Sequence, residues 1–493
     1  MEKVEQALKL RPQIIATRTQ VSQLRASVAT HLDRLKPWDP EEEKRPAWAQ
    51  IDEAERLEAA IELDRIALVQ GLQAALNEDP LLPEAHRALA EYYQERMAES
   101  DLQGDGKSAQ WECLLREHDR GEHALWLKGV GAFTLHTDPP GAEVILHRWT
   151  QRHRRLVLDE GRSLGKTPLD DMELEIGSYL LILRHPGCVP VRYPLAIERA
   201  KHWDGIAPRE DRPLPIYLPQ LGELAADDVY IPAGWTRYGG DPLAIDPLPA
   251  GRIWIDAFVM KCFPVTNGEY LEFLNDLVRR GMMGQALALC PHKETSDHLP
   301  LIRQMPGAAS FQLAPGLGQQ IHQVQRLPVV DISWWAAEAY GKWLAKKTGK
   351  PWRLPHELEW EKAGRSVDGR AFPWGEHFDP TWARVLNSTP GTPDCVQVDD
   401  YPVDESPYTV RGLGGNVRDF CLNKYSTHGP QVSQLNIKEG VPDEEDVWLV
   451  RGGNWLSAPR NARLANRFVS KKETTYNSVG FRLLQGWPIN SER

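Results

Sequence analysis

The sequence predicts a multidomain α+β protein, and three observations carry that expectation: the length, a change of hydrophobic period near residue 130, and a concentration of tryptophan in the C-terminal half. The chain has 493 residues, too many for one ordinary core, so at about 150 residues per domain two to four units are expected. Up to residue 128 apolar residues recur at spacings of three and four, whereas from Gly131 they alternate, a switch from helical to strand period. Of the 18 tryptophans, twelve follow Leu221, which implies a core built on large amphipathic rings in place of regular aliphatic layers.

Composition narrows the function classes. Hydrophobic residues at 41% and charged residues at 26% are ordinary for a folded chain and argue against extensive disorder. A net charge of -11 without a sustained Lys/Arg stripe gives no footprint for nucleic acid. The opening MEKVEQALKLRPQ has no apolar signal segment, and no run of 18 apolar residues occurs, so no membrane association and a cytoplasmic location are expected. The cysteines, at 113, 188, 262, 290, 395 and 421, include no Cys-x-x-Cys pair, a pattern of reduced core residues in place of a disulfide framework or zinc site.

Residues 1–128 are expected to be helical. ATRTQVSQLRASVATHLDRL and WAQIDEAERLEAAIELDRIALVQGLQAAL each carry an apolar stripe, separated by the break KPWDPEEEKRP;. In DPLLPEAHRALAEYYQERMAES, Pro83 marks a helix start, with Ala85, Leu89 and Tyr92 as its stripe;. That segment resembles one tetratricopeptide unit, and because an array needs about three such units, a helical bundle is the other reading.

Residues 129–218 are expected to form a small β module. AFTLHTDPPGAEVILHRW and SYLLILRHPG are short strands bounded by Pro-Gly turns, with LGKTPLDDMELEIG as their connection;. The run TDPPGAEV, LGKTPL, IGSYLLILRHPG resembles the PEGA domain, and the resemblance implies a spacer or docking surface. A Pro-rich, charged linker, IERAKHWDGIAPREDRPLPIYLPQLGE, follows.

Residues 222–493 make the third expected domain. In VDISWWAAEAYGKWLAKKTG, Trp335, Ala339 and Trp343 are spaced for one buried stripe closed by Gly349 as a C-cap; in RLPHELEWEKAGR, Pro355 falls in a first helical turn and Leu358 and Trp360 point to the core;. Glu357, Glu359 and Glu361 alternate around that helix, which favours local bonding over paired catalytic acids. The ordered patterns VYIPAGW, FPVTNGEYLEFL, LPVVDISWWAAEAYGKW, WRLPHELEWEKAGR, FPWGEHFDP, GLGGNVRDF, VRGGNW and SVGFRLL resemble the formylglycine-generating enzyme (sulfatase-modifying factor) family. The resemblance implies a C-type-lectin-like fold with little regular secondary structure.

It also implies where chemistry is sought. In the catalytic members two cysteines follow the RGG motif and bind copper(I), which selects sulfur; here Ser457 stands at the first position, the loop is shortened, and no cysteine follows Cys421. Copper is therefore not expected. The family's structural calcium site maps onto Gly415, Val417 and Asp419, oxygen donors suited to that ion, and a second site maps onto Asn387 and Asp394. In both, the resemblance implies calcium as the cofactor; the other reading is that these loops are held by hydrogen bonds alone. The ergothioneine synthases of the same superfamily bind iron through a His-x-x-x-His-x-Glu helix; in REHDRGEHALW, His118 and His123 are five apart, off one helical face, and read as surface histidines.

The segment implied to line the family's cleft supplies Asn454, Trp455, Arg463, Asn466, Arg467 and Asn477, groups fit for a peptide or small ligand;. Arg463 and Arg467, four apart, also suit an ion-paired scaffold. The expected function is a non-catalytic binding or regulatory protein, a pseudoenzyme recognising a protein or peptide partner in a bacterial signalling or effector pathway. The three-part order resembles the non-kinase part of bacterial Ser/Thr kinases, and since no Gly-rich phosphate loop, V-A-I-K, H-R-D or D-F-G occurs;, the partner is expected to be a separately encoded kinase or protease. The competing class is a metal-dependent oxidase of the formylglycine-generating type or a related non-haem iron enzyme.

Overall fold

A computed structural model describes residues 2–32, 40–103, 106–292, 300–305, 307–314, 320–391, 393–427, 429–433, 436–438 and 447–487. The chain separates into two compact units, Met1–Gly129 and Val130–Arg493.

The first unit is helical: α1 (Glu2–Leu8), α2 (Leu10–Leu32), α3 (Glu41–Glu78), α4 (Pro83–Gln103), α5 (Ser108–His118) and α6 (Ala124–Leu127). Helix α3 buries Ala54, Ile61, Arg65, Leu68, Leu72 and Ala75, the alternating three- and four-residue steps of a helix facing others along its length. The second half of the break, from Glu41 to Pro46, is helical. Residues 36–39 of KPWDPEEEKRP lie outside the described residues, while Pro46 sits inside α3, near enough to the helix start that its missing N–H removes only one early bond. On α4, Ala85, Leu89, Tyr93 and Met97 are buried and Tyr92 is only partly so: the step of four from Leu89 selects Tyr93, which stacks on Trp111 of α5. His118 and His123 are not surface groups. His118 ends α5, buried with its Nδ1 3.0 Å from Nδ1 of His86, and the His123 ring is bonded to Asp119.

The second unit begins with β structure. Glu143–Arg152 pairs antiparallel with Gly177–Arg184, and this with Val191–Ile197; Val130–Leu135 pairs with Leu169–Glu175. The expected connection LGKTPLDDMELEIG is thus largely strand. Residues 197–223 are stitched down: His202–Trp203 pairs with Val130–Leu135, Ile216–Tyr217 pairs with Thr137–Asp138, and Ile216 and Leu218 are buried. One hydrophobic cluster runs from Phe133, Leu181 and Leu195 into Tyr230, Val259 and Phe273. Polar contacts cross the same boundary, with Leu156 N donating to Trp374 O at 2.8 Å, Ser178 Oγ to Asp368 at 2.7 Å and Arg192 Nε to Pro407 O at 2.6 Å.

Beyond residue 222 the described helices are α7 (Asn267–Arg279), α8 (Met283–Ala288), α9 (Ile321–Arg326), α10 (Trp334–Thr348) and α11 (Glu357–Arg365), set among short strands and long ordered loops. Thr266 closes a capping box on α7, and Ser333 caps α10. Gly349 ends α10 with φ 71°, the left-handed cap that glycine adopts without Cβ strain. The buried stripe of α10 is Trp334, Ala337, Tyr340 and Gly341 with Trp343; Trp335 is 46% exposed. Of two adjacent tryptophans only one can face the core, and Trp334 does so, its indole N–H donating to Cys421 O at 2.8 Å. Pro355 precedes the N-cap His356 of α11 and is not in its first turn, while Leu358 and Trp360 are fully buried. A four-stranded sheet completes the domain, ordered Arg467–Lys471, Val447–Arg451, Arg418–Lys424, Val479–Gly480.

Candidate functional site

Side chains alternate across a sheet, so this four-stranded sheet has two faces of different chemistry. Asp419 lies opposite Arg451, and Arg451 opposite Arg467; this face packs on α11. There Arg451 donates to Glu357 at 3.2 Å and to Glu361 at 2.5 Å, Arg467 donates to Glu357 at 2.8 Å, and Arg365 to Glu361 at 2.7 Å. Glu359 pairs with Arg353 at 2.7 Å. Burial raises the pKa of Glu359 and Glu361, but the arginines dominate and hold both below the usual carboxylate range. Glu359 and Glu361 are thus ionised, and all three glutamates of α11 are bonded inside the protein.

The opposite face carries Phe420, Val450 and Phe468, which join the main hydrophobic cluster. Arg418 begins that row. Its guanidinium lies 3.6 Å over the Phe468 ring, with Nε donating to Gly452 O at 3.1 Å and Nη2 to Ser457 Oγ at 3.3 Å. Among the described residues no carboxylate pairs with it, and burial lowers its pKa to about 10.

Ser457, at the place of the expected first cysteine, is buried in a closed turn. Its hydroxyl donates to Asn454 Oδ1 at 2.8 Å and accepts from Asn454 N at 3.1 Å. Its carbonyl accepts from Leu386 N at 3.0 Å. Cys421 is fully buried in the strand Arg418–Lys424, and Cys395 lies in a separate loop; burial raises the pKa of both thiols. All six cysteines are free.

The six residues expected to line a cleft are placed as follows. Trp455 is 8% exposed, its indole N–H donating to Asn477 O at 3.1 Å. Asn454 holds the turn just described. Asn466 is fully buried, accepting from Ile245 N at 2.6 Å and donating to Arg460 O at 2.9 Å. Arg463 pairs with Asp241 at 2.6 Å over the Phe372 ring, and Arg467 holds Glu357, Asp246 and Ser426 O. Asn477 is exposed. The structure brings Asn454, Trp455 and Asn477 together with Ser457 and Arg418, and puts Arg463, Asn466 and Arg467 in the interior network. Arg418 and the half-exposed Leu456 (44%) and Leu386 (39%) were missed by the sequence reading. The signal for Arg418 was there, a charged residue beginning a run of core residues.

The loop Gly412–Asp419 is held from several sides. Asp404 accepts from Leu413 N and Gly414 N, and burial raises its carboxyl to about 6. Asn416, at φ 67°, exchanges side-chain bonds with Val396 and accepts from Trp455 N through its carbonyl. Asp419 Oδ2 accepts from Arg482 Nε at 2.6 Å and Trp360 Nε1 at 2.9 Å, whereas Oδ1 is buried without a hydrogen-bond partner among the described residues. An orphaned buried carboxylate oxygen is a group that a hard cation would satisfy. In the second loop, Asn387 is exposed, Asp394 Oδ1 accepts from Cys395 N, and Arg384 bridges Asp394 O and Thr389 Oγ1. No group of three or more His, Cys, Asp or Glu side chains with metal-binding geometry occurs among the described residues.

Residues 219–486 match the sulfatase-modifying factor enzyme 1-like domain. The chain belongs to that family. Its relatives include the serine/threonine-protein kinase pkn1 of Chlamydia caviae, 26% identical over 68% of this chain and 49% of that one. The inactive C-alpha-formylglycine-generating enzyme 2 of Bos taurus is 26% identical over 52% of this chain and 87% of that one. The formylglycine-generating enzyme of Thermomonospora curvata is 28% identical over 56% of this chain and 98% of that one. The chain spans half or less of the length of the kinases it matches. No described helix is long and apolar enough to cross a membrane.

Proposed function

We propose that this family member is a non-catalytic recognition protein whose C-terminal domain binds a protein or peptide partner in a bacterial signalling or effector pathway. One observation carries the reading: where the family's oxidases present a copper-binding thiol, Ser457 presents a hydroxyl already bonded to Asn454 and Arg418. A hydroxyl is a poor ligand for copper(I), and Cys395 and Cys421, the nearest alternatives in sequence, are held protonated by burial. The likeness to an inactive family member and to chlamydial kinases supports a regulatory role beside a separately encoded kinase or protease. A structural calcium ion belongs to the proposal, with Asp419 Oδ1 and the carbonyls of Gly415 and Val417 as donors. Asn387 and Asp394 offer no comparable orphaned oxygen. The test is metal analysis of the purified protein together with an oxidation assay on a Cys-x-Pro-x-Arg peptide. No aldehyde is expected with or without added copper; aldehyde formed at enzymatic rates sinks the proposal.

A further inference from the structure

Resting on that recognition reading, we infer that Arg418 is the anchor of a carboxylate-binding site, and that the occupant is a peptide carrying a Glu or Asp side chain flanked by apolar residues. The inference starts from a contrast among the arginines of one domain. Arg365, Arg370, Arg451, Arg463, Arg467 and Arg482 each hold a carboxylate at 2.5–2.8 Å. Arg418 holds none among the described residues, only a carbonyl and a hydroxyl. Arg384 also lacks a carboxylate, but it is sealed at 3% exposure with its guanidinium bridging Asp394 O and Thr389 Oγ1. Arg418 remains partly exposed.

Its geometry is that of a pre-set receptor. Stacking on Phe468 and the bonds to Gly452 O and Ser457 Oγ fix the guanidinium plane through Nε and Nη2. Nη1 makes no protein bond among the described residues and is left to donate. A fixed guanidinium favours carboxylate over neutral acceptors because its bonds are charge-assisted and little side-chain entropy remains to be lost. The apolar part of the occupant has its own complement. Leu456, next to Ser457, and Leu386, whose N–H donates to Ser457 O, are both exposed large apolar residues beside this turn, unlike the sealed Trp455.

An array of hexapeptides with Glu or Gln at one position and apolar residues around it tests this with the full chain and the R418K and R418Q variants, their melting points recorded alongside. Glu peptides should bind the native chain at least about tenfold better than their Gln twins, the scale of one charge-assisted bond. R418Q should erase that preference and R418K keep part of it. Equal binding of Glu and Gln peptides overturns the carboxylate site while leaving peptide recognition standing; no binding by either series removes both. A preference that persists in a folded R418Q also overturns it. Should R418Q not fold, phenylglyoxal on the native chain serves: Arg418 should be modified before the six paired arginines and be protected by the best Glu peptide, and failure of either result rejects the site.

Discussion

The two faces of the sheet built on Arg418–Lys424 use arginine in opposite ways. On the α11 side, Arg451, Arg467 and Arg482 are sealed against Glu357, Glu361 and Asp419, so their charges hold the fold together and nothing outside can reach them. On the other side Arg418 is held in place by an aromatic ring, a carbonyl and a hydroxyl, and no carboxylate among the described residues answers its charge. Position in an arginine-rich segment therefore says little about function; what decides it is whether a carboxylate from a distant part of the chain reaches the guanidinium.

Breaking the sealed side should have the largest effect. Glu357→Ala leaves Arg451 and Arg467 buried without that counter-charge, and losing one partner of such a network costs about 3–5 kcal/mol. Chemical denaturation should show this; a loss under 1 kcal/mol would mean that the network is hydrated or dispensable. Calcium is next. If it binds at Asp419, a free concentration a hundred times the dissociation constant stabilises by about 2.7 kcal/mol. Asp419→Ala should lower the melting point by freeing Arg482 and should also abolish the calcium increment, whereas identical melting in calcium and chelator rejects the site.

A smaller effect concerns Lys362, which is 1% exposed and donates to Pro232 O and Ile255 O. Burial lowers its ammonium to about 7, while in the unfolded chain a lysine titrates near 10.4. Between these values the unfolded chain binds the extra proton, so this group makes stability rise with pH from about 7 to about 10, by up to about 1.4 kcal/mol per pH unit. Lys362→Met should flatten that slope in denaturation curves at pH 7, 8 and 9; an unchanged slope assigns the pH dependence elsewhere. The smallest effect on stability is expected at the open side. Leu456→Ala should move the melting point by no more than about 1–2 °C, since an exposed side chain contributes within about 0.5 kcal/mol, yet weaken peptide binding several-fold. Trp455→Ala is a poor probe by comparison, because a ring 8% exposed with a bonded indole fails through the fold before it reports on binding.

Partial proteolysis sharpens the domain reading. Residues 197–223, expected as a free linker, contribute strand pairs and the buried Ile216 and Leu218, so first cleavage is expected near Gly129. Early cuts within 197–223 that release a stable C-terminal fragment would favour three separable domains.

Much of the molecule was legible because its signals are local. The helical period before residue 128, the alternation after it, the start of α4 at Pro83 and the left-handed Gly349 each depend on a few neighbouring residues. So does the family likeness, carried by short ordered patterns. Tertiary structure decided the rest, because those outcomes depend on which distant groups meet. Trp334 and Trp335 are equivalent in sequence until Trp448 and Cys421 O claim the first. Glu359 stays with Arg353, six residues away, but Glu357 and Glu361 also meet Arg451 across 94 and 90 residues, and Arg467, a reasonable ligand contact by spacing, closes on Glu357 across 110 residues. Arg418 acquired its meaning the same way: sequence supplies the charge, and only the folded chain leaves it without a carboxylate among the described residues.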